Sequence, residues 1–308
     1  MPVLNEAEHL HAAVAAILAQ DYPGQLDVCL ALGPSVDTTD DVAHRLTVDH
    51  PSVRTVANPS GRTPSGLNAA IRATHGEVVV RVDGHALLPL GYVTRAVRTL
   101  RRTGAVNVGG TQRAVGTTPF EHAVAVAMSS PFGMGGAKFH TGGTEGPTDT
   151  VYLGVFDRHA IEAVGLFDES LIRNQDYELN VRLRKAGGVI WFDPELSVDY
   201  RPRPTVSKLA RQFFEYGAWK RHVLRLHPGS VRPRQLVPPV ALMSIVAAVV
   251  ASPWLPWALV VPAAYLAAIV TFTIGLARRD RRARFMSLCL VFPTMHMSWA
   301  AGFLVGRR

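Results

Sequence analysis

Asp83-Gly84-His85 closes an apolar run, Glu77-Val78-Val79-Val80-Arg81-Val82. A carboxylate and an imidazole thus stand one residue apart at the C-terminal end of what reads as a buried strand. In open α/β sheets that edge is where ligands bind. Carboxylate oxygen suits Mg²⁺ or Mn²⁺, and imidazole suits Mn²⁺ better than Mg²⁺. An ion held there would neutralise a diphosphate. The triplet also reads as a turn cap or a surface loop, so spacing alone leaves both readings open. A second carboxylate, Asp176, opens a predicted helix, where the dipole favours negative charge. From spacing alone it reads as an N-terminal cap.

The elements that must position these groups alternate. Strands are predicted over 26–32, 53–57, 77–82, 105–110, 150–156 and 189–192. Between or beside them, helices are predicted over 40–49, 64–74, 89–103, 159–164 and 176–186. Such alternation predicts an α/β domain with a mostly parallel sheet covered by helices on both faces. At the start, Pro2-Val3-Leu4 reads as a strand stub, and Asn5 is placed to cap the helix through Leu10, Val14 and Ile17. The stub is shorter than a central strand needs, so either translation starts upstream or the fold tolerates a stub. The Gly-rich stretch 131–147 is expected to be a mobile loop. No Walker or Gly-x-Gly-x-x-Gly loop is present.

The last third changes character. Residues 236–277 contain no Asp, Glu, Lys or Arg, and residues 285–305 form another uncharged stretch. Three spans are predicted, at about 236–252, 257–277 and 285–305, each near the ~20 residues needed to cross hydrocarbon. Trp254 and Trp257 mark an interfacial turn. The net charge of +8 is concentrated in 201–234 and 278–284. The positive-inside rule places those segments and the N-terminal part in the cytosol, with Arg307 and Arg308 outside. A re-entrant third segment is the alternative. Residues 205–226 carry Leu209, Phe213 and Trp219 among cations, which suits a helix on the membrane surface or one packed on the sheet. The charge lacks the aromatic platform of a nucleic-acid binder, and none is expected. Cys29 and Cys289 lie in different regions, so no disulfide is expected. No signal peptide is visible. His296, inside the third span, reads equally as a functional group or as helix-packing glue.

Five motifs in order carry a resemblance: Pro2-Val3-Leu4-Asn5-Glu6; Ser35-Val36-Asp37-Thr38-Thr39; Asn58 through Asn68; Arg81-Val82-Asp83-Gly84-His85; and Gly165-Leu166-Phe167-Asp168-Glu169 with Asn174-Gln175-Asp176. The chain resembles the family-2 glycosyltransferases of the GT-A fold. With Asp149, Gly154, Gln212 and Tyr216-Gly217-Ala218-Trp219, it resembles the succinoglycan-type exopolysaccharide glucosyltransferases over nearly its whole length. The resemblance implies a GT-A domain over 1–200, a basic amphipathic segment over 201–235 and a transmembrane region over 236–308.

It further implies a divalent cation, Mn²⁺ or Mg²⁺, on Asp83 and His85, and Asp176 as the base. Nucleotide-sugar contacts would come from Asn5, Glu6, Asp37, Asn68 and Asp83. Asp37 reads equally as an Asx turn. Asp149, Gly154, Arg211, Gln212, Trp219 and Lys220 fall at acceptor or diphosphate positions. Gly154 reads also as a strand-packing glycine, and the cations as headgroup contacts. The acidic pair that reads uracil in many members is Leu32-Gly33 here, and Gln175 replaces a common Glu. The implied activity is inverting transfer of a hexose, glucose first, from a UDP-sugar to a polyprenyl-diphosphate-linked saccharide at the inner membrane. Other polysaccharide-assembly proteins are the implied partners. Two alternatives stay open: a polyprenyl-phosphate monosaccharide synthase, and a silent membrane scaffold.

Overall fold

The computed structural model describes residues 1–230 and 232–306. The chain forms two compact units: Met1–Gln112 with Gly142–Asp199, and Arg113–Thr141 with the chain from Tyr200 onward.

The first unit opens with β1 (Pro2–Val3), α1 (Leu10–Leu18), β2 (Val28–Leu32), α2 (Thr39–Asp49), β3 (Val53–Ala57) and α3 (Thr63–Arg72). Each helix returns the chain to the start of the next strand, so β1, β2 and β3 pair in parallel in that order. α1 buries Leu10, Ala13, Val14 and Ile17, the stripe of one helical face. Asn5 does not cap it. His9 holds the N-cap position, and Asn5, at φ 55°, accepts a 2.8 Å bond from Val36 N at its Oδ1. Asn5 lies too far upstream to reach the first free N–H groups of a helix starting at Leu10, so it pins the neighbouring loop instead.

The second sheet uses β4 (Val78–Val80), β5 (Asn107–Ala114), β6 (Gly146–Pro147), β7 (Tyr152–Asp157) and β8 (Ile190–Tyr200), in the order β4-β7-β5-β8-β6. α4 (Tyr92–Thr103) follows β4, and α8 (Arg158–Ala163) and α9 (Gln175–Lys185) lie between β7 and β8. β7 runs antiparallel to both β4 and β5, and β6 antiparallel to β8. Leu10, Leu30, Val93, Val97, Val155 and Leu196 belong to the core of this unit.

The second unit begins with α5 (Pro119–Met128), α6 (Pro131–Met134) and α7 (Lys138–Thr141). The expected loop at 131–147 thus contains two short helices and β6. α5 starts on a capping box between Thr118 and Glu121, with Pro119 in its first turn. α10 (Val206–Leu226), α11 (Pro233–Ala251), a 3₁₀ turn (Pro256–Leu259), α12 (Val260–Arg279) and α13 (Phe285–Val305) follow. α11, the 3₁₀ turn with α12, and α13 give three helices long and apolar enough to cross a membrane. The apolar face of α10 is covered by α13 rather than left for the sheet, with Leu209 and Phe213 in one cluster with Leu288 and Phe292. Arg307 and Arg308 lie outside the described residues. Cys29 and Cys289 are both free thiols.

Candidate active site

β4 delivers the first part of the site. Its register against β7 continues past Val80, where Arg81 N donates to Gly154 O at 3.1 Å. Residues two apart on an extended chain share a face, so Arg81 and Asp83 point the same way. Arg81 is 8% exposed. Its Nε and Nη2 both donate to Asp83 Oδ1, at 3.2 and 2.9 Å. Its Nη1 pairs with Asp176 Oδ1. One guanidinium therefore holds the two carboxylates side by side. Burial disfavours the charge on Arg81, but Asp176 and Asp83 outweigh that and raise its pKa. Burial would raise Asp83 too, yet the charge and hydrogen bonds of Arg81 hold it below the usual carboxylate range.

Asp176 lies in the first turn of α9, whose N-cap is Asn174 in the left-handed region at φ 61°. The cap reading of Asp176 is set aside, since its Oδ1 goes to Arg81. Behind it, Asn68 is 2% exposed. Its Nδ2 donates to Phe167 O at 2.9 Å and Glu169 Oε1 at 2.8 Å, and its Oδ1 accepts from Phe167 N at 3.0 Å. Asn68, expected on the nucleotide side, ties α3 to the segment that leads into α9.

Glu6 supplies a further carboxylate. Its Oε1 lies 2.8 Å from Nδ1 of His85. A Cβ at Gly84 would come within 2.8 Å of Glu6 Cγ, so the strand end closes on Glu6 only with glycine there. A carboxylate on one imidazole nitrogen fixes the ring and leaves the other nitrogen for a ligand. Among the described residues no three His, Cys, Asp or Glu side chains gather as a closed metal site. Asp83 and His85 offer one oxygen and one nitrogen donor, and the Arg81 fork falls on Oδ1 alone. Such a pair fits an ion that takes the rest of its shell from a diphosphate and water.

The remaining expected residues are placed as follows. Asp37 is exposed; its Oδ1 accepts from Thr39 N at 3.1 Å, and the Thr39 hydroxyl holds its pKa down. Oδ2 accepts from Ala7 N at 3.3 Å, so Asp37 forms the Asx turn and also pins the start of the chain. Asp149 is half-buried before β7. A Cβ at Gly154 would lie 2.6 Å from Asn107 Oδ1 and 2.4 Å from the Phe156 ring, which is the packing role. Arg211, Gln212, Trp219 and Lys220 belong to α10 in the second unit. Gln212 is buried and donates to the hydroxyls of Tyr200 and Tyr216, both at 2.8 Å. Trp219 and Lys220 are buried as well, while Arg211 is exposed 3.6 Å from Glu215. His296 lies 2.8 Å from Phe132 O through Nε2 and 3.2 Å from Tyr265 OH through Nδ1, a packing link.

The structure thus gathers Glu6, Arg81, Asp83, His85 and Asp176. Arg81 as the bridge and Glu6 as the partner of His85 are what the sequence reading missed. The available signal for Arg81 was a charge inside a valine strand, two residues before Asp83.

Solved structures share this architecture. A mannosyltransferase from Pyrobaculum calidifontis, solved with GDP-Man and Mn²⁺, superposes with a TM-score of 0.64 at 21% identity, over 98% of this chain and 85% of that one. S. aureus TarS 1-349 with UDP gives 0.51 at 10% identity, over 96% and 88%. The fold is the GT-A class of glycosyltransferases. The chain belongs to glycosyl transferase family 2, whose model matches residues 1–165. It is 31% identical to the succinoglycan biosynthesis protein ExoA of Rhizobium meliloti (strain 1021), over 98% of this chain and 92% of that protein. It is 24% identical to a dolichyl N-acetyl-alpha-D-glucosaminyl phosphate 3-beta-D-2,3-diacetamido-2,3-dideoxy-beta-D-glucuronosyltransferase of Methanococcus voltae, over 99% and 95%. The protein is a glycosyltransferase.

Proposed function

We propose that the chain is a membrane-anchored, inverting hexosyltransferase that uses a UDP-sugar and a polyprenyl-diphosphate-linked saccharide. The observation that carries this reading is the single guanidinium of Arg81 between Asp83 and Asp176. On this reading Asp83 serves the diphosphate side and Asp176 the acceptor side, and one arginine links them. Asp83 and His85, through Nε2, would hold a divalent ion, Mn²⁺ or Mg²⁺. When bound, that ion supplies positive charge to the leaving diphosphate. Asp176 takes the proton of an acceptor hydroxyl, whose oxygen attacks the anomeric carbon as the bond to the UDP oxygen breaks. The configuration inverts, and UDP leaves with the bonding electron pair. Asn5 and Asp37 line the donor side through the loop they hold, while Asn68 acts through the 167–169 segment. Asp149 belongs to the acceptor side.

Three observations support the choice of substrates. A relative of nearly equal length has a dolichyl-linked sugar phosphate in its name. Another is named for succinoglycan biosynthesis. Three helices are long and apolar enough for a bilayer, and a lipid-linked acceptor accounts for them. The basic segments flanking them support a cytosolic catalytic part at the plasma membrane by the positive-inside rule. The test is transfer from radiolabelled UDP-glucose, with a panel of other UDP-sugars, into lipid-extractable product in membranes with and without EDTA. Label dependent on Asp176 and abolished by EDTA is expected. Label that survives Asp176→Asn unchanged would instead fit a polyprenyl-phosphate acceptor, which needs no base.

A further inference from the structure

α11 and α12 turn their large apolar side chains outward, among them Val240, Val246 and Val250 on one and Val260, Leu266 and Val270 on the other. At 1.5 Å per residue each is roughly 30 Å long, enough for the hydrocarbon layer. Their shared tip exposes Trp254 and Trp257, and Arg residues flank their other ends. That is the pattern of a lipid-embedded hairpin with one basic side.

α13 differs. Its most apolar window is 33% buried, against 11% for each of the other two. Its main companion is α10, and the two make the most extensive helix contact in the second unit. Both run the same way: Phe213 shares a cluster with Val291 and Phe292, and further along Arg221 donates to the carbonyls of Phe303 and Leu304. The backbones touch where both helices carry glycine. A side chain at Gly217 would run into the Trp299 carbonyl, and one at Gly302 into the Phe214 carbonyl. α10 carries Lys208, Arg211, Glu215, Lys220, Arg221 and Arg225. If α13 crossed the bilayer, this close pairing would draw those charges into hydrocarbon, where each is strongly disfavoured.

We infer that α13 does not cross to the far side: packed on α10 and against Tyr265 and Ile269 of α12, it stays with α10 in a parallel two-helix layer on the cytosolic side of the bilayer, and only α11 and α12 cross. The partner of this layer is an anionic lipid surface. Lys208, Arg211 and Arg225 are exposed on α10 for the headgroups, and Met286 is 75% exposed on α13 for the acyl boundary. The inference rests on the membrane reading proposed above. It places Val305 on the same side of the bilayer as the arginine loop that precedes α13.

Single cysteines in the full-length chain test this. In a Cys29→Ala, Cys289→Ala background, Trp254→Cys, Arg281→Cys and Val305→Cys are each exposed to a membrane-impermeant maleimide in sealed inside-out and right-side-out vesicles. Val305→Cys and Arg281→Cys should react in inside-out vesicles, and Trp254→Cys in right-side-out ones. Val305→Cys reacting with the preference of Trp254→Cys would overturn the inference while leaving membrane insertion intact. Release of the whole chain by alkaline carbonate would overturn both together. Should the cysteine-free background fail to accumulate, a fluorescent protein fused after Gly306 of the unaltered chain gives the same answer. Fluorescence in cells is expected, whereas activity of alkaline phosphatase fused at that point would refute the two-span arrangement.

Discussion

Asp83 and Asp176 meet on one guanidinium. Arg81, buried at the end of β4, donates to Asp83 from two nitrogens and pairs with Asp176 through the third. Two carboxylates this close would repel each other and raise a pKa. The arginine between them supplies the positive charge that offsets this repulsion, and the fork geometry that does so is not available to lysine.

Removing that bridge should therefore damage both folding and turnover. Arg81→Ala leaves two facing carboxylates without their cation, and breaking such a buried pair costs about 3–5 kcal/mol. A clear fall in melting temperature is expected, with no measurable transfer. Arg81→Lys should recover part of the melting temperature but little activity. Near-wild-type transfer by Arg81→Lys would show that the fork is not needed.

Asp176→Asn keeps the shape and loses the base. Transfer should drop by roughly 10²–10⁴, while UDP binding, read by calorimetry or fluorescence, changes little. Turnover within threefold of the parent would remove Asp176 from the mechanism.

Glu6→Gln weakens the carboxylate that faces His85 Nδ1. Loss of such an outer partner lowers metal affinity by roughly 10–100-fold. The concentration of Mn²⁺ giving half-maximal activity should rise accordingly, with the rate at saturating Mn²⁺ largely restored. An unchanged metal titration would assign Glu6 to the donor sugar or to packing.

Glu121 gives a pH dependence away from the chemistry. Its side chain, capping α5, accepts from Thr117 N and Thr118 N at 2.9 and 3.0 Å. Desolvation opposes the charge, but these bonds, led by the Thr117 hydroxyl, bring its pKa down from 4.5 to about 2. The folded pKa lies below the unfolded one, so its stabilisation is present above the ordinary value and is lost as pH falls towards about 2. Thermal unfolding in detergent from pH 6 to pH 3 should show a slope that Glu121→Gln flattens.

Gly154→Ala should destabilise the first unit by about 1–3 kcal/mol, the range for overpacking. Its new methyl would press on Phe156 and Asn107. A melting temperature equal to the parent's would mean that β7 can shift, and would return Gly154 to the acceptor side.

Much of the parallel half is legible in the sequence, because each strand there is an apolar run and each helix has a one-sided stripe. α2 and α3 fall within a residue or two of the expected spans. The mixed second sheet is less legible, since β8 continues from the expected strand at 189–192 through Pro194 and polar residues to Tyr200. α5 has a readable start in Thr118-Pro119-Phe120-Glu121 that carries no weight until its partner α13 is known. In the site, Asp83, His85 and Asp176 stand out by type and order. Arg81 and the Glu6–His85 pair do not, because both depend on strand register and on contacts between distant segments.

The amide of Asn68 grips both the N–H and the C=O of Phe167 and holds the Glu169 side chain as well. A helix on the parallel side of the domain is thereby fastened to the turn that aims Asp176. A screen for inactive variants should recover position 68 alongside the reactive carboxylates, although the residue there need touch neither sugar nor nucleotide.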